Sequence, residues 1–210
     1  MNVLTAWLFP ARCFGCSKPD ELFCRKCLSG LPAHSVSRAK FISAIFSASQ
    51  YNNPALKSAI KSMKYRSGRK IAAVLGDFLA QALKANMTAV IKESPLVLAI
   101  PMSASRLRER GFNHSEFLSR TIAESLSLAF IPGALKKIRN TNPQAECRVR
   151  RERLENIRDS FGVNPNLDFR GKNILLVDDV STTGATLNEA ARALKEAGAA
   201  RIYAAVVARG

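Results

Sequence analysis

Residues Ile174 to Thr186 read I-L-L-V-D-D-V-S-T-T-G-A-T. Four apolar residues run into two adjacent carboxylates, Asp178 and Asp179, and a hydroxyl-rich turn with a single glycine follows. The backbone N–H groups of such a turn, at the start of a helix, favour a phosphate through unpaired donors and the helix dipole. Thr182, Thr183 and Thr186 add hydroxyl donors, and Gly184 lets the backbone approach closely. Two carboxylates beside a phosphate cradle repel a bare polyphosphate. They suit a ligand that carries sugar hydroxyls next to its phosphate, which is the logic of a ribose 5-phosphate site. The competing phosphate signature, G-x-x-x-x-G-K-[ST], is absent.

A second cluster lies near the amino terminus. Cys13, Cys16, Cys24 and Cys27 form C-x2-C-x7-C-x2-C. Two such knuckles closing together supply the four thiolates of a tetrahedral Zn²⁺ site, and with every position filled by protein the site is structural. A segment of about 30 residues has too little core to fold unaided, so metal binding would supply folding energy. Disulfides are the alternative, and a cytosolic setting argues against them. Cys147 stands apart in a basic stretch, and His34 and His114 have no partner at metal-ligand spacing.

The elements that must position these residues alternate along the chain. Residues 29–40 read as a polar linker, Phe41 to Ala48 as a strand, and Ala55 to Tyr65 as a basic helix opened by Pro54. Ile71 to Ile91 has the spacing of one long amphipathic helix. Leu96 to Ile100 reads as a short buried strand, Pro101 to Ser105 as a loop and Asn113 to Leu128 as a helix. A basic helix over 142–159 follows. Strand Asn173 to Val177, helix Ala185 to Ala197 and strand Arg201 to Ala208 complete the chain, with Asp178 and Asp179 where the first of these strands ends. This alternation predicts an α/β fold with a doubly wound parallel sheet, whose ligands bind outside the carboxyl ends of the strands.

The 210 residues suffice for one sizeable α/β domain with a small appendage, and the 47% hydrophobic fraction is that of a globular chain. No apolar run approaches the roughly 18 residues of a membrane span, and Met1 to Phe9 lacks the basic start of a secretory signal. These features point to a cytoplasmic protein without membrane insertion. The net charge of +16 is localised: residues 57–70 and 136–158 together carry 11 of the excess charges, while residues 171–210 are nearly neutral. Positive charge in two blocks would attract an anionic sugar phosphate or a nucleic-acid backbone. The 136–158 block also reads as a solvated helix face, with Glu146–Arg150 and Arg151–Glu155 pairs four residues apart.

The D-D-V-S-T-T-G-A-T stretch resembles the motif with which type I phosphoribosyltransferases bind 5-phosphoribosyl-1-pyrophosphate (PRPP). Within that group the whole chain resembles the ComF family of competence proteins, which includes the GntX-type proteins. The resemblance rests on Cys13, Cys16, Cys24 and Cys27, and on Lys64 and Gly68. It extends through Pro101 to an R-x-x-x-R-G-F-N-Q run matched by Arg106, Arg110, Gly111, Phe112 and Asn113, with His114 in place of the glutamine. Arg139, Thr141 and Gln144 match a further element, and Arg153, Asn156 and Phe161 another.

The resemblance implies a type I phosphoribosyltransferase fold over residues 35–210, with a hood over 41–92 and a core over 96–210, behind a zinc-ribbon module over 1–34. It implies PRPP binding by Asp178, Asp179, Ser181, Thr182, Thr183, Gly184, Ala185 and Thr186, with the two aspartates on the ribose hydroxyls and the loop around the 5′-phosphate. The loop from Pro101 to Arg106 corresponds to the family's pyrophosphate loop, and residues 136–160 to a mobile loop. Lys64, Pro101, Arg106, Arg110, Arg139, Arg148, Arg150, Arg151 and Arg153 are the candidates for contacting pyrophosphate or DNA. Structural Zn²⁺ and PRPP-associated Mg²⁺ are the implied metals. The family's link to natural transformation implies single-stranded DNA and proteins of the uptake machinery as partners, with Phe112 and Tyr65 as possible stacking surfaces. No general base stands out, the acceptor is not readable, and an acceptor pocket is expected from the amino-terminal half. Transferase activity on a small acceptor and PRPP sensing without transfer both stay open.

Overall fold

The computed structural model describes residues 11–65, 68–138 and 159–210. In chain order the elements are α1 (Arg25–Ser29), β1 (Ser35–Ala39), β2 (Ile42–Gln50), α2 (Pro54–Ser62), α3 (Gly68–Asn86), α4 (Thr88–Lys92), β3 (Leu96–Ala99), α5 (Ala104–Arg110), α6 (His114–Leu126), β4 (Leu135–Lys137), β5 (Phe161–Val163), β6 (Ile174–Ser181), α7 (Ala185–Glu196) and β7 (Ile202–Arg209). Five strands form one sheet in the order β1-β2-β7-β6-β3. β2, β7, β6 and β3 are parallel, and β1 adds an antiparallel edge. β4 and β5 form a separate antiparallel pair.

The sheet is buried on both faces, which explains its unbroken apolar strands. Side chains alternate across β6: Leu175 and Val177 join one core with Phe46, Leu56, Ile60, Leu75, Leu79 and Leu118, under α2, α3 and α6. Ile174 and Leu176 point the other way, to a core shared with Ile45, Leu98, Phe161, Leu187 and Leu194, under α7 and the small hairpin. β2 pairs directly with β7, so the segment before residue 92 contributes a strand to the main sheet.

Local chemistry sets the element ends. Asn53 caps α2 by accepting the Leu56 N–H, and Pro54 fills the first turn. Gly76 lets α3 and α6 approach: a Cβ there would lie 2.8 Å from Thr121 Cβ.

Four boundaries depart from the sequence reading. The 29–40 linker contains β1, an exposed-and-half-buried edge strand whose polar alternation masks it. The long helix expected over 71–91 breaks at Met87 into α3 and α4. The stretch from Pro101 is a loop for three residues and then the seven-residue α5, capped by Ser103 and closed by Gly111 in the left-handed conformation. Finally, Asp178 and Asp179 do not lie beyond the end of a strand. They are inside β6, which continues to Ser181 because Asp178 pairs with Val206 and Ser181 with Arg209 on β7. The helix read over 142–159 falls almost wholly outside the described residues.

Candidate ribose-phosphate cleft and cysteine cluster

β6 hands the chain to α7 through Thr182, Thr183 and Gly184. Gly184 has φ +76°, a left-handed turn that L side chains resist. Thr182 and Thr183 are exposed, and the N–H groups of residues 182–184 have no acceptor among the described residues. The Thr183 hydroxyl accepts the Ala185 N–H at 3.3 Å. The loop and the first residues of α7 wrap a hollow of about 20 Å³ lined by Ser181, Thr182, Thr183, Gly184, Ala185 and Thr186. Unclaimed amides at the start of a 12-residue helix are an arrangement that can receive an anion. Ser181 itself is buried at the end of β6.

Beside the hollow lies a cleft of about 250 Å³, and Asp178 and Thr186 border both. Its floor is the carboxylate pair. Asp178 Oδ1 accepts the Ser115 hydroxyl and the Asp179 N–H, each at 2.9 Å, and Asp179 Oδ1 accepts the Val180 N–H at 2.7 Å. Asp179 Oδ2 faces His114 Nε2 at 3.3 Å. His114 and Ser115 open α6, whose N-cap Asn113 accepts the Ser115 N–H and donates to the Ile100 carbonyl at 3.0 Å. The cap therefore ties the loop after β3 to the helix that carries His114.

The two carboxyls differ electrostatically. Burial and the neighbouring Asp179 push Asp178 up to about 7, against the pull of His114 and the hydrogen bonds it accepts. Burial works upward on Asp179 too, but the adjacent His114 imidazole, Lys64 and the Val180 N–H outweigh it and hold this carboxyl below its ordinary value. One side of the pair stays charged and the other is readily neutralised.

Cations line the rest of the cleft: Lys64, Arg106, Arg110 and Lys137. Lys64 sits in the turn after α2. Arg106 and Arg110 are one helical turn apart on α5, so they share a face. Lys137, on β4, is drawn below the usual lysine range by burial and by Arg106, partly offset by Asp178. Of the predicted contact residues, Lys64, Pro101, Arg106, Arg110, Asp178, Asp179 and Thr186 thus line one cleft. Arg139, Arg148, Arg150, Arg151, Arg153 and Cys147 lie outside the described residues. Lys137, Ser115 and the inward position of His114 were not singled out. The +5 charge of the 136–158 block was the one available hint of Lys137, and nothing in one sequence shows that β4 brings it to Asp178. Of the two aromatic candidates, Tyr65 is 71% exposed. Phe112 is buried edge-on against Phe117 beneath Arg69, which removes it as a stacking surface.

At the amino terminus the sulfurs of Cys13, Cys16, Cys24 and Cys27 all lie within 4.8 Å of one another. Cys16 and Cys24 sulfurs are 3.7 Å apart, against about 3.8 Å for a tetrahedral ion with metal–sulfur bonds of about 2.3 Å. All four thiols are free. Two backbone N–H groups, from Cys24 and Gly15, point at Cys13 Sγ. Burial raises the Cys13 thiol, but these N–H groups prevail and bring it down to about 6. Cys27 is pushed up to about 12 by its hydrogen bond with Cys24 and by burial. Deprotonated together, four sulfurs packed this closely would need a cation among them, and the cluster can hold one metal ion.

A mostly parallel sheet in which an inner strand carries paired carboxylates and passes through a left-handed glycine turn into a helix is the arrangement of the type I phosphoribosyltransferase fold, here behind a four-cysteine module compatible with a zinc ribbon. The sequence comparisons agree. The profile described as "Phosphoribosyl transferase domain" matches residues 69–210. The chain is 29% identical over 194 residues to the "DNA utilization protein YhgH" of Salmonella typhimurium, covering 90% of this chain and 80% of the relative. It is 28% identical to "Competence protein F" of Haemophilus influenzae, over 73% of this chain and 68% of the relative. It is 33% identical to "Competence protein ComFC" of Bacillus subtilis, over 70% of this chain and 57% of that relative. Among solved structures it is similar to the glutamine PRPP amidotransferase of B. subtilis, with TM-score 0.42 and 18% identity, over 70% of this chain and 30% of that one. The chain belongs to the phosphoribosyltransferase family and, within it, to the ComF group.

Proposed function

We propose that the cleft binds PRPP, or a closely similar ribose phosphate, and that the protein handles single-stranded DNA in the cytoplasm during DNA uptake. The observation that carries the first part is the juxtaposition, across the cleft and the hollow that adjoins it, of three unlike surfaces: the Asp178–Asp179 pair, the amide-and-hydroxyl turn at 182–186, and the cations Lys64, Arg106, Arg110 and Lys137. In this reading the carboxylates accept hydrogen bonds from the ribose 2′ and 3′ hydroxyls. The turn donates to the 5′-phosphate. The cations neutralise the pyrophosphate on the far side of the sugar. Mg²⁺ bound with PRPP would supply further charge neutralisation beside Asp178 and Asp179, and Zn²⁺ on the four cysteines would hold the amino-terminal module together.

The DNA reading draws on relatives named for DNA utilization and competence. It is also supported by the exposed cations of α2 and α3, Lys57, Lys61, Arg69 and Lys70, with exposed Tyr65 between them. Such a strip would follow a phosphate backbone and offer one stacking surface.

Isothermal titration of PRPP with Mg²⁺ tests the cleft. The wild-type protein should give saturable heat, and an Asp178→Ala/Asp179→Ala double variant should bind at least tenfold more weakly. Equal affinity in the two proteins refutes the assignment.

A further inference from the structure

A groove of about 670 Å³ opens between α1 and α3, and it shares no lining residue with the cleft. Phe23, Leu28, Val74, Phe78 and Ala82 give it an apolar wall, and the exposed Arg25 and Asp77 border it. We propose that residues 1–10 of this chain dock in this groove, with Trp7 as the anchor, and so tie the cysteine module to α3. The proposal does not depend on what the cleft binds.

The groove keeps apolar surface that a cover would stabilise. Leu28, Val74, Phe78 and Ala82 are only partly packed against the core on their side of the sheet. Val74, Phe78 and Ala82 follow one another at intervals of four, so they form a stripe along α3. A contiguous apolar patch with a polar border is a face that something covers. The cover must bring apolar side chains of its own. Among the described residues the exposed large hydrophobics are Val36, Tyr65, Leu107 and Ile138, scattered over four separate places. They form no ridge with which a second copy could fill the groove.

Residues 1–10 read M-N-V-L-T-A-W-L-F-P and lie outside the described residues. None of the ten carries a charged side chain. Val3, Leu4, Trp7 and Leu8 recur at the spacing that sets side chains along one face of a helix. The described chain takes up beside the groove. The Ala11 carbonyl accepts the Asp20 N–H at 2.7 Å, and the Phe14 N–H donates to the Leu22 carbonyl at 3.0 Å. Cys13 Sγ accepts the Cys24 N–H at 3.3 Å, and both chain neighbours of Cys24, Phe23 and Arg25, line the groove. Ten residues reach about 15 Å as a helix and about 33 Å extended. The tether gives the segment an effective concentration on the order of millimolar, which a separate partner would have to match.

Trp7 is the single tryptophan of the chain, so its indole signals identify themselves. Nuclear Overhauser spectra of the isotope-labelled full-length protein should show the indole in contact with the methyl groups of Leu28 and Val74. Its fluorescence should be shielded from acrylamide, with a quenching constant several-fold below that in urea. Ala82→Glu sets a carboxylate in the groove, and it should remove those contacts and raise quenching towards the urea value while the circular dichroism stays that of wild type. If the variant folds poorly, the wild-type contacts decide alone. Isotope-filtered spectra of mixed labelled and unlabelled protein show whose segment fills the groove, and contacts within one molecule are expected. An indole as open to acrylamide as in urea overturns the proposal. So do a shielded indole that touches neither Leu28 nor Val74, contacts that survive Ala82→Glu, and contacts that form only between molecules.

Discussion

Replacing Asp178 by asparagine should make the protein more stable at pH 8 while removing a group the cleft uses. Asp178 is half-buried beside Asp179, and desolvation and that neighbour together push its carboxyl to about 7 from an ordinary value near 4. A raised carboxyl contributes stability that is fully present below about pH 4 and is lost as pH rises through about 7. Above that point the folded protein holds a charge it disfavours. That displacement sets an upper bound of about 4 kcal/mol. Water in the open cleft screens the charge, so about 1–2 kcal/mol is expected to survive. Asparagine keeps the shape, and its carbonyl still accepts from the Ser115 hydroxyl and the Asp179 N–H. Urea denaturation of wild type and Asp178→Asn, without added divalent ion, is run at pH 5 and pH 8. The variant should gain about 1–2 kcal/mol at pH 8 relative to wild type and much less at pH 5. A variant equally destabilised at both pH values would refute the electrostatic account of this carboxylate pair.

Three further outcomes follow from the packing and the charge. In Gly15→Ala the new Cβ would lie 2.7 Å from Cys27 Sγ, so metal per chain, measured by elemental analysis, should fall well below the wild-type value. In Gly76→Ala the Cβ would lie 2.8 Å from Thr121 Cβ. Forcing α3 from α6 should cost about 1–3 kcal/mol, outweighing the helix-propensity gain of about 1 kcal/mol, and thermal melting checks it. Lys61→Ala/Lys70→Ala removes two exposed cations. The slope of log affinity for single-stranded DNA against log salt should flatten by about 1.4.

Much of this site was legible because its signal is local. The apolar run of β6, the adjacent aspartates and the turn glycine lie within 13 residues, and the two cysteine knuckles within 15. Strand type also followed from composition, since β3, β6 and β7 are buried on both faces. What escaped depends on partners distant in sequence. β6 extends through its aspartates only because β7 lies alongside as far as Arg209. β1 alternates exposed and half-buried residues and gains its identity from β2. Lys137 reaches the cleft because β4 pairs with β5 across a long interval. His114, on α6, had no partner at close spacing, and the carboxylate it meets is some 60 residues away on β6. Arg106 and Arg110 were named, but not the short helix between Ser103 and Gly111 that turns them to one side.

The most direct measurement is calorimetry with the two halves of the proposed ligand. Ribose 5-phosphate and pyrophosphate should each bind the wild-type protein, and PRPP more tightly than either. Asp178→Ala/Asp179→Ala should abolish ribose 5-phosphate binding and spare pyrophosphate, while Arg106→Ala/Arg110→Ala should do the reverse. If both double variants weaken both halves alike, or if neither half binds, the cleft does not divide its work between carboxylates and cations, and the account is contradicted.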